Sequence, residues 1–168
     1  MKLSVLALAV AFSLSGCAGY RIGEVKPNVL KDVHTIAVQM FKNKTYRPRV
    51  EALVTGTVIK QFQQDGTFTI TSPEKADAVL EGTVTAIGRA PARYVTGNVL
   101  ATAEFNLGVT VNYTLRKKDG TAVVGPAVIA GGTSFFVGSD VNSEERQALP
   151  LAAEDLAARL VSQLAEGW

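Results

Sequence analysis

An α+β fold, a two-layer sandwich, follows from three features of the sequence. Residues 103–115 alternate without a break, with Ala103, Phe105, Leu107, Val109, Val111, Tyr113 and Leu115 set against Glu104, Asn106, Gly108, Thr110, Asn112 and Thr114. That period of two is a strand with one buried face. Two other segments repeat apolar residues at i, i+3 and i+4, as a helix with one buried stripe does. The element order reads β-α-β-β-β-β-α. Two helices packed on one face of a four- to five-stranded, mostly antiparallel sheet satisfy it.

The elements follow in order. Residues 17–32 read as a tether, because Gly19, Gly23, Pro27 and Asn28 interrupt any period. The first strand is expected over residues 33–41, with Ile36, Val38 and Met40 on one face. His34, the sole histidine, shares that parity and reads as a half-buried strand residue, since no cysteine or second histidine completes a metal site. Phe41-Lys42-Asn43-Lys44-Thr45 is a polar exit. A helix is expected from about residue 47 or 48 to residue 64. Pro48 suits its first turn, and Val50, Leu53, Val54, Thr57, Val58 and Gln61 form its stripe. Gly56 weakens it by about 1 kcal/mol relative to alanine and is expected to let it approach the sheet. Gly66 ends it as a left-handed cap.

Residues 67–71 form a short strand with Phe68 and Ile70 on one side. The next strand is expected over residues 77–87, with Ala78, Leu80, Gly82, Val84 and Ala86 on one face. Residues 88–98 read as a loop or splayed hairpin. The long alternating strand ends at Lys117-Lys118-Asp119-Gly120, where Asp-Gly supplies the positive φ of a tight turn. Residues 121–137 return as the last strand, and Pro126 and Gly131-Gly132 signal an edge position or bulges. A helix over about residues 142–165 ends the chain. Asn142 with Glu145 resembles a capping box. Ala153, Leu156, Ala157, Leu160 and Leu164 make the buried stripe, while Glu154, Asp155 and Arg159 are expected to face water. Pro150 is expected to kink or split this helix.

The start of the chain carries an address. Met1-Lys2 is followed by an almost wholly apolar run over residues 3–14, too short to span a bilayer stably. Leu14-Ser15-Gly16-Cys17 resembles the lipobox of bacterial lipoproteins. The resemblance implies removal of residues 1–16 as a signal peptide and acylation of Cys17, and Ala18 after it favours the outer membrane. Two or more acyl chains hold a protein firmly where one does not. Cys17 is the only cysteine, so it has no disulfide partner. Residues 33–168 are then one domain, long enough to bury a core without disulfides.

Composition excludes other classes. Without Lys2, 16 of the 17 Lys and Arg remain against 15 Asp and Glu. There is no polybasic block, so nucleic acid is not an expected partner. No P-loop, dinucleotide fingerprint or nucleophile elbow is present. A Ser-His-Asp triad would need His34 on its strand. Glu144-Glu145 and Glu154-Asp155 lie in the last helix and read as a solvated face rather than as a catalytic carboxylate pair. No enzyme activity, cofactor or metal is expected.

Several stretches together resemble the LptE family of lipopolysaccharide-assembly lipoproteins. They are Cys17-Ala18-Gly19-Tyr20, the strand and exit from Thr35 through Phe41, Asn43 and Thr45, and Ala76-Asp77-Ala78-Val79-Leu80-Glu81-Gly82. Tyr94 and Gly97 ahead of the long strand, and the terminal helix, also agree. Pro150 and a long tether depart from the family pattern. The resemblance implies a non-catalytic protein that sits in the lumen of an LptD-type outer-membrane β-barrel. There it would plug the barrel, assist its assembly and bind lipopolysaccharide. The first-strand and Ala-Asp-x-x-Leu-x-Gly stretches also occur in lipoproteins resembling LpoB or CsgG, which activate a peptidoglycan synthase or form a secretion pore. The Cys-x-Gly-Tyr opening and the single long hairpin favour LptE.

Ligand contacts are expected where cations meet apolar surface, since lipid A carries phosphates beside acyl chains. Arg89 and Arg93 with Tyr94 form one candidate phosphate site, because arginine forks match phosphate oxygens. Lys117 and Lys118 at the other turn form a second. On an ideal straight strand the two lie roughly 60–70 Å apart, at about 3.3 Å per residue.

Overall fold

A computed structural model describes residues 26–167, with backbone alone over 98–100. The expected signal peptide and Cys17 lie outside the described residues. Six strands form one sheet, β1 (Thr35–Val38), β2 (Lys42–Asn43), β3 (Thr69–Ile70), β4 (Ala78–Val95), β5 (Asn98–Lys117) and β6 (Ala122–Phe136). Two helices, α1 (Val50–Asp65) and α2 (Val141–Glu166), cover one face. The strand order is β3-β1-β4-β5-β6, with β2 also on β4. The α+β sandwich is as expected, but the sheet is mixed and larger than expected. β1 pairs parallel with both β3 and β4, and β2 pairs parallel with β4. Only β4-β5-β6 is an antiparallel meander. The parallel half arises because α1 carries the chain from β2 back to the starting end of the sheet.

The expected first strand is two short ones. Between them Phe41 turns inward, 2% exposed, and its N–H donates to Thr55 Oγ1 at 2.9 Å. The Thr55 hydroxyl in turn donates to Glu51 O on α1 at 2.6 Å. This break puts Met40 outside, 64% exposed, rather than beside Ile36. His34 is exposed as well, not half-buried.

Two sequence motifs lock this corner. Asp77 Oδ2 accepts the N–H groups of His34 and Thr35 at 3.0 and 2.8 Å and the Thr35 hydroxyl at 2.8 Å. Those bonds satisfy the start of β1 and hold the Asp77 carboxyl below its ordinary range, the His34 N–H contributing most. Gly82 leaves the space that Phe41 fills, since a Cβ there would lie 2.7 Å from the ring. The Ala-Asp-x-x-Leu-x-Gly strand and the Phe-x-Asn-x-Thr exit are thus two halves of one packing arrangement.

Helix α1 starts later than expected, at Val50, behind Arg49 in a left-handed conformation (φ 64°). Pro48 therefore lies in the preceding turn. The buried stripe is Val50, Val54, Thr55, Val58 and Phe62. Leu53, Thr57 and Gln61 fall to its flank, because the sequence offers apolar residues on more than one side. Gly56 is exposed, with nothing within 4 Å of a would-be Cβ, so it serves no close approach. Gly66 caps the end as expected, at φ 79° and bonded to Phe62 O at 3.0 Å. Ahead of β1, Asn28–Leu30 makes a 3-10 turn, and Leu30 and Val33 are fully buried.

Helix α2 runs unbroken from Val141 to Glu166 with Pro150 inside it. Pro150 faces solvent, on the side of the helix where a carbonyl left without an N–H partner is least costly. The cap is Asp140, which accepts Asn142 N–H at 3.0 Å and the Ser143 hydroxyl at 2.6 Å. Asn142 and Glu145 do not form the expected capping box.

β5 behaves as its alternation requires. Leu107, Val109, Val111, Tyr113 and Leu115 are all buried against the helices. β4 does not keep its parity. Val84 pairs with Val111, but Ala86 pairs with Thr110, so Thr85 is an extra residue. This β-bulge sends Ala86 outward and turns Ile87 and Arg89 toward the helical layer, opposite Val109 and Leu107. Beyond Arg93 and Ala103 the β4-β5 hairpin continues as a two-stranded ribbon to the turn at Gly97 (φ 81°). The segment expected as a loop or splayed hairpin is this ribbon.

Candidate functional site

At the base of the ribbon a carboxylate is buried between two arginines. Glu145, in the second turn of α2, is 6% exposed. It bonds Arg89 Nη1 through one oxygen and Arg47 Nη2 through the other. Three separate elements converge there, and each is placed by a local feature. The bulge at Thr85 brings Arg89 to the inner face. Asn43 places Arg47, its Nδ2 donating to Arg47 O at 2.7 Å and to Glu51 Oε2 at 2.9 Å. Asn43 Oδ1 accepts both the N–H and the hydroxyl of Thr45 at 2.8 Å, which closes the loop. Glu145 is presented by the Asp140 cap one turn earlier.

The pairing is charge-assisted and bidentate in sense, with one guanidinium on each oxygen. A buried carboxylate would otherwise carry a large desolvation cost. Both arginines remain about a third exposed, at 37% and 35% of the side chain. Two cations on one anion leave a net positive charge with an open side. The Arg89 guanidinium lies 5.3 Å above the Phe105 ring, and Phe105 stacks on Phe135 at 5.8 Å. The cluster therefore seats cations on aromatic surface where the helical layer ends.

The sequence-expected residues fall into different places. Arg93 lies further along the ribbon, 3.6 Å from Glu104. Arg89 and Arg93 thus each engage a carboxylate of their own. Tyr94 is exposed on the ribbon. Lys117 and Lys118 are at the opposite end of β4 and β5, where Ala78 pairs with Lys117. Lys118 Nζ donates to Glu74 O at 2.7 Å, and Asp32, Asp77 and Asp119 share the surface there. The lysines sit among carboxylates, whereas Arg89 is joined by a second arginine. Arg47 and Glu145 escaped the sequence reading. Glu145 looked like a capping residue, and Arg47 like a helix start.

Among the described residues no group of His, Cys, Asp or Glu is placed to hold a metal, and no helix is long and apolar enough to cross a membrane.

The fold and this cluster define the class, a two-layer α+β domain with a projecting β-ribbon and a cationic base. The chain belongs to the LptE lipopolysaccharide-assembly family, whose model matches residues 33–164. That family consists of lipoproteins without enzymatic activity. No curated protein matches the sequence. Solved structures share the fold at low identity. A hypothetical protein of Chlamydia trachomatis is 10% identical with a TM-score of 0.58, over 81% of this chain and 97% of that one. A Xanthomonas campestris protein is 14% identical with a TM-score of 0.55, over 80% and 85%. A minor lipoprotein of Acinetobacter baumannii is 17% identical with a TM-score of 0.51, over 80% and 93%.

Proposed function

We propose that this chain is the lipid-anchored partner of an LptD-type outer-membrane β-barrel, which it plugs and helps assemble for delivery of lipopolysaccharide to the cell surface. The family match across residues 33–164 carries this reading. The lipobox at Cys17 supplies its anchor to the outer membrane, and the protein faces the periplasm. The ribbon supplies a projecting arm, and the arginines at its base supply cations, with Arg89 over the Phe105 ring. Arg89, Arg93 and Tyr94 are the proposed contacts for lipopolysaccharide phosphates and their apolar surroundings, with Lys117 and Lys118 as the competing location. Arg47 joins the first group, because it shares Glu145 with Arg89.

Two experiments test the reading. Crosslinking in intact envelopes is expected to join the chain to a large outer-membrane barrel, whereas capture of a penicillin-binding protein would contradict the proposal. Lipopolysaccharide binding by Arg89→Ala/Arg93→Ala protein is expected to fall below that of Lys117→Ala/Lys118→Ala protein. The reverse order would move the site to the β5-β6 turn. Cys17→Ala is expected to leave the precursor uncleaved and absent from the outer-membrane fraction.

A further inference from the structure

One free edge of the sheet, β6, has an unusual composition. β6 is the last strand, and among the described residues no strand pairs with its outer side. Edge strands ordinarily carry charges or prolines that deter pairing with another chain. Over Ala122–Phe136 there is no Lys, Arg, Asp or Glu. Pro126 and the adjoining register shift protect only the first third. From Ala127 onward the register with β5 is regular. Val137 N–H donates to Ala103 O at 3.0 Å, so odd-numbered residues bond to β5. The even-numbered residues 128, 130, 132, 134 and 136 turn their backbone groups outward.

One outward group is occupied. Gly132 N–H donates to Asp155 Oδ2 of α2 at 2.8 Å, and Arg159 Nε holds the same oxygen at 2.9 Å. The helix reaches the edge because Gly131 lets it approach, a Cβ there falling 2.2 Å from Leu156 N. Asp155 was expected to face water; instead its carboxylate closes the middle of the open edge.

The edge is self-complementary about that same point. Pair two copies antiparallel with Gly132 opposite Gly132, and Val128 of each faces Phe136 of the other. Val128 and Phe136 are 64% and 67% exposed, and both lie on the helix-free face. Such a match of apolar cross-strand pairs stabilises an antiparallel junction, and β6 itself brings no charged side chain to it; the charges at its centre are Asp155 and Arg159 of α2.

We propose that β6 is a latent self-pairing edge, complementary to a second copy of this chain about Gly132, and that Asp155 keeps it closed by holding the Gly132 N–H. With the guard closed the chain stays monomeric; with it removed, two sheets join edge to edge. The proposal does not depend on the lipopolysaccharide reading, because it concerns the full chain alone in detergent.

Sedimentation of the full chain in detergent tests it. The wild type is expected to be a monomer, and Asp155→Ala to self-associate at least tenfold more tightly. Adding Ala130→Lys and Ser134→Lys, two exposed edge positions, is expected to restore the monomer. Mixed Val128→Cys and Phe136→Cys copies in the Asp155→Ala background are expected to form a disulfide-linked pair faster than either alone. Arg159→Ala, which loosens the same carboxylate, is the second variant should Asp155→Ala not fold. Folded Asp155→Ala or Arg159→Ala protein that associates no better than wild type overturns the proposal. So does association that the added lysines leave unchanged, or a wild type already paired through β6.

Discussion

The two ends of the β4-β5 pair differ in what covers them. From Ala78 to Val84 on β4, and from Leu107 to Leu115 on β5, one face lies under α1 and α2 and the inward residues are buried. Past Pro91 and Phe105 neither helix continues, and residues 90–97 are all exposed. The sequence there still avoids charge, with Arg93 alone over residues 90–103. A two-stranded ribbon by itself is marginal in water, so the covered end holds the fold, and the uncovered end is the proposed binding arm. The Arg47-Glu145-Arg89 cluster marks the boundary between them.

Substitutions sharpen this contrast, the largest effect first. Val111 is fully buried between Val84 and Ile129. Val111→Asp is expected to cost several kcal/mol, about 3–5, by burying an unpaired carboxylate. Thr110→Asp, on the helix-free face, is expected to cost under about 1 kcal/mol. Equal losses in thermal denaturation would mean the face assignment of β5 is wrong.

Gly131→Ala comes next. Its Cβ would strike the Leu156 backbone, whereas Gly88 has nothing within 4 Å of the same addition. The first is expected to lose about 2–3 kcal/mol through overpacking, and the second to stay within about 0.5 kcal/mol. Urea denaturation of both variants reads the difference directly, and indistinguishable midpoints would sink the close-approach argument.

Glu145→Ala is expected to cost about 1–3 kcal/mol, less than a fully buried pair because its arginines are a third exposed. A double-mutant cycle with Arg89→Ala is the check. Additive losses would show that the pairing contributes nothing.

Asp77 gives a smaller, pH-dependent term. Its folded pKa lies below the unfolded value of about 3.9. The stabilisation is therefore fully present above that value and fades as pH falls through the folded pKa. Asp77→Asn is expected to flatten the stability curve in that acid window by about 1 kcal/mol or less. An unchanged slope between wild type and variant would remove Asp77 from the account.

How much of this was legible depends on each element's surroundings. β5 is central, with one covered face and no bulge in its middle, so its alternation maps directly onto burial. β4 alternates in the same way from Ala78 to Val84 but has an extra residue at Thr85, and nothing in Val84-Thr85-Ala86 signals it. That shift decides which way Arg89 points. The first strand broke because Phe41 follows the cavity at Gly82, a contact forty-one residues away in sequence. Glu145 stands three residues after Asn142, which satisfied a local capping pattern; its real partners, Arg47 and Arg89, come from two distant elements. Of the stretches that carry the family resemblance, the first strand with its Phe-x-Asn-x-Thr exit and the Ala-Asp-x-x-Leu-x-Gly strand meet in the fold, through Thr35 with Asp77 and Phe41 with Gly82.

If the chain sits in an outer-membrane barrel as proposed, the uncovered ribbon is expected to meet that partner while the covered end supports it. Photocrosslinking in intact envelopes measures this most directly, with the reactive residue placed at Val95 on the ribbon or at Lys60 on the exposed side of α1. Both substitutions are expected to leave the fold intact. The account predicts a crosslink from position 95 to a large outer-membrane β-barrel, several-fold stronger than from position 60. A barrel adduct from position 60 with none from position 95 would contradict it.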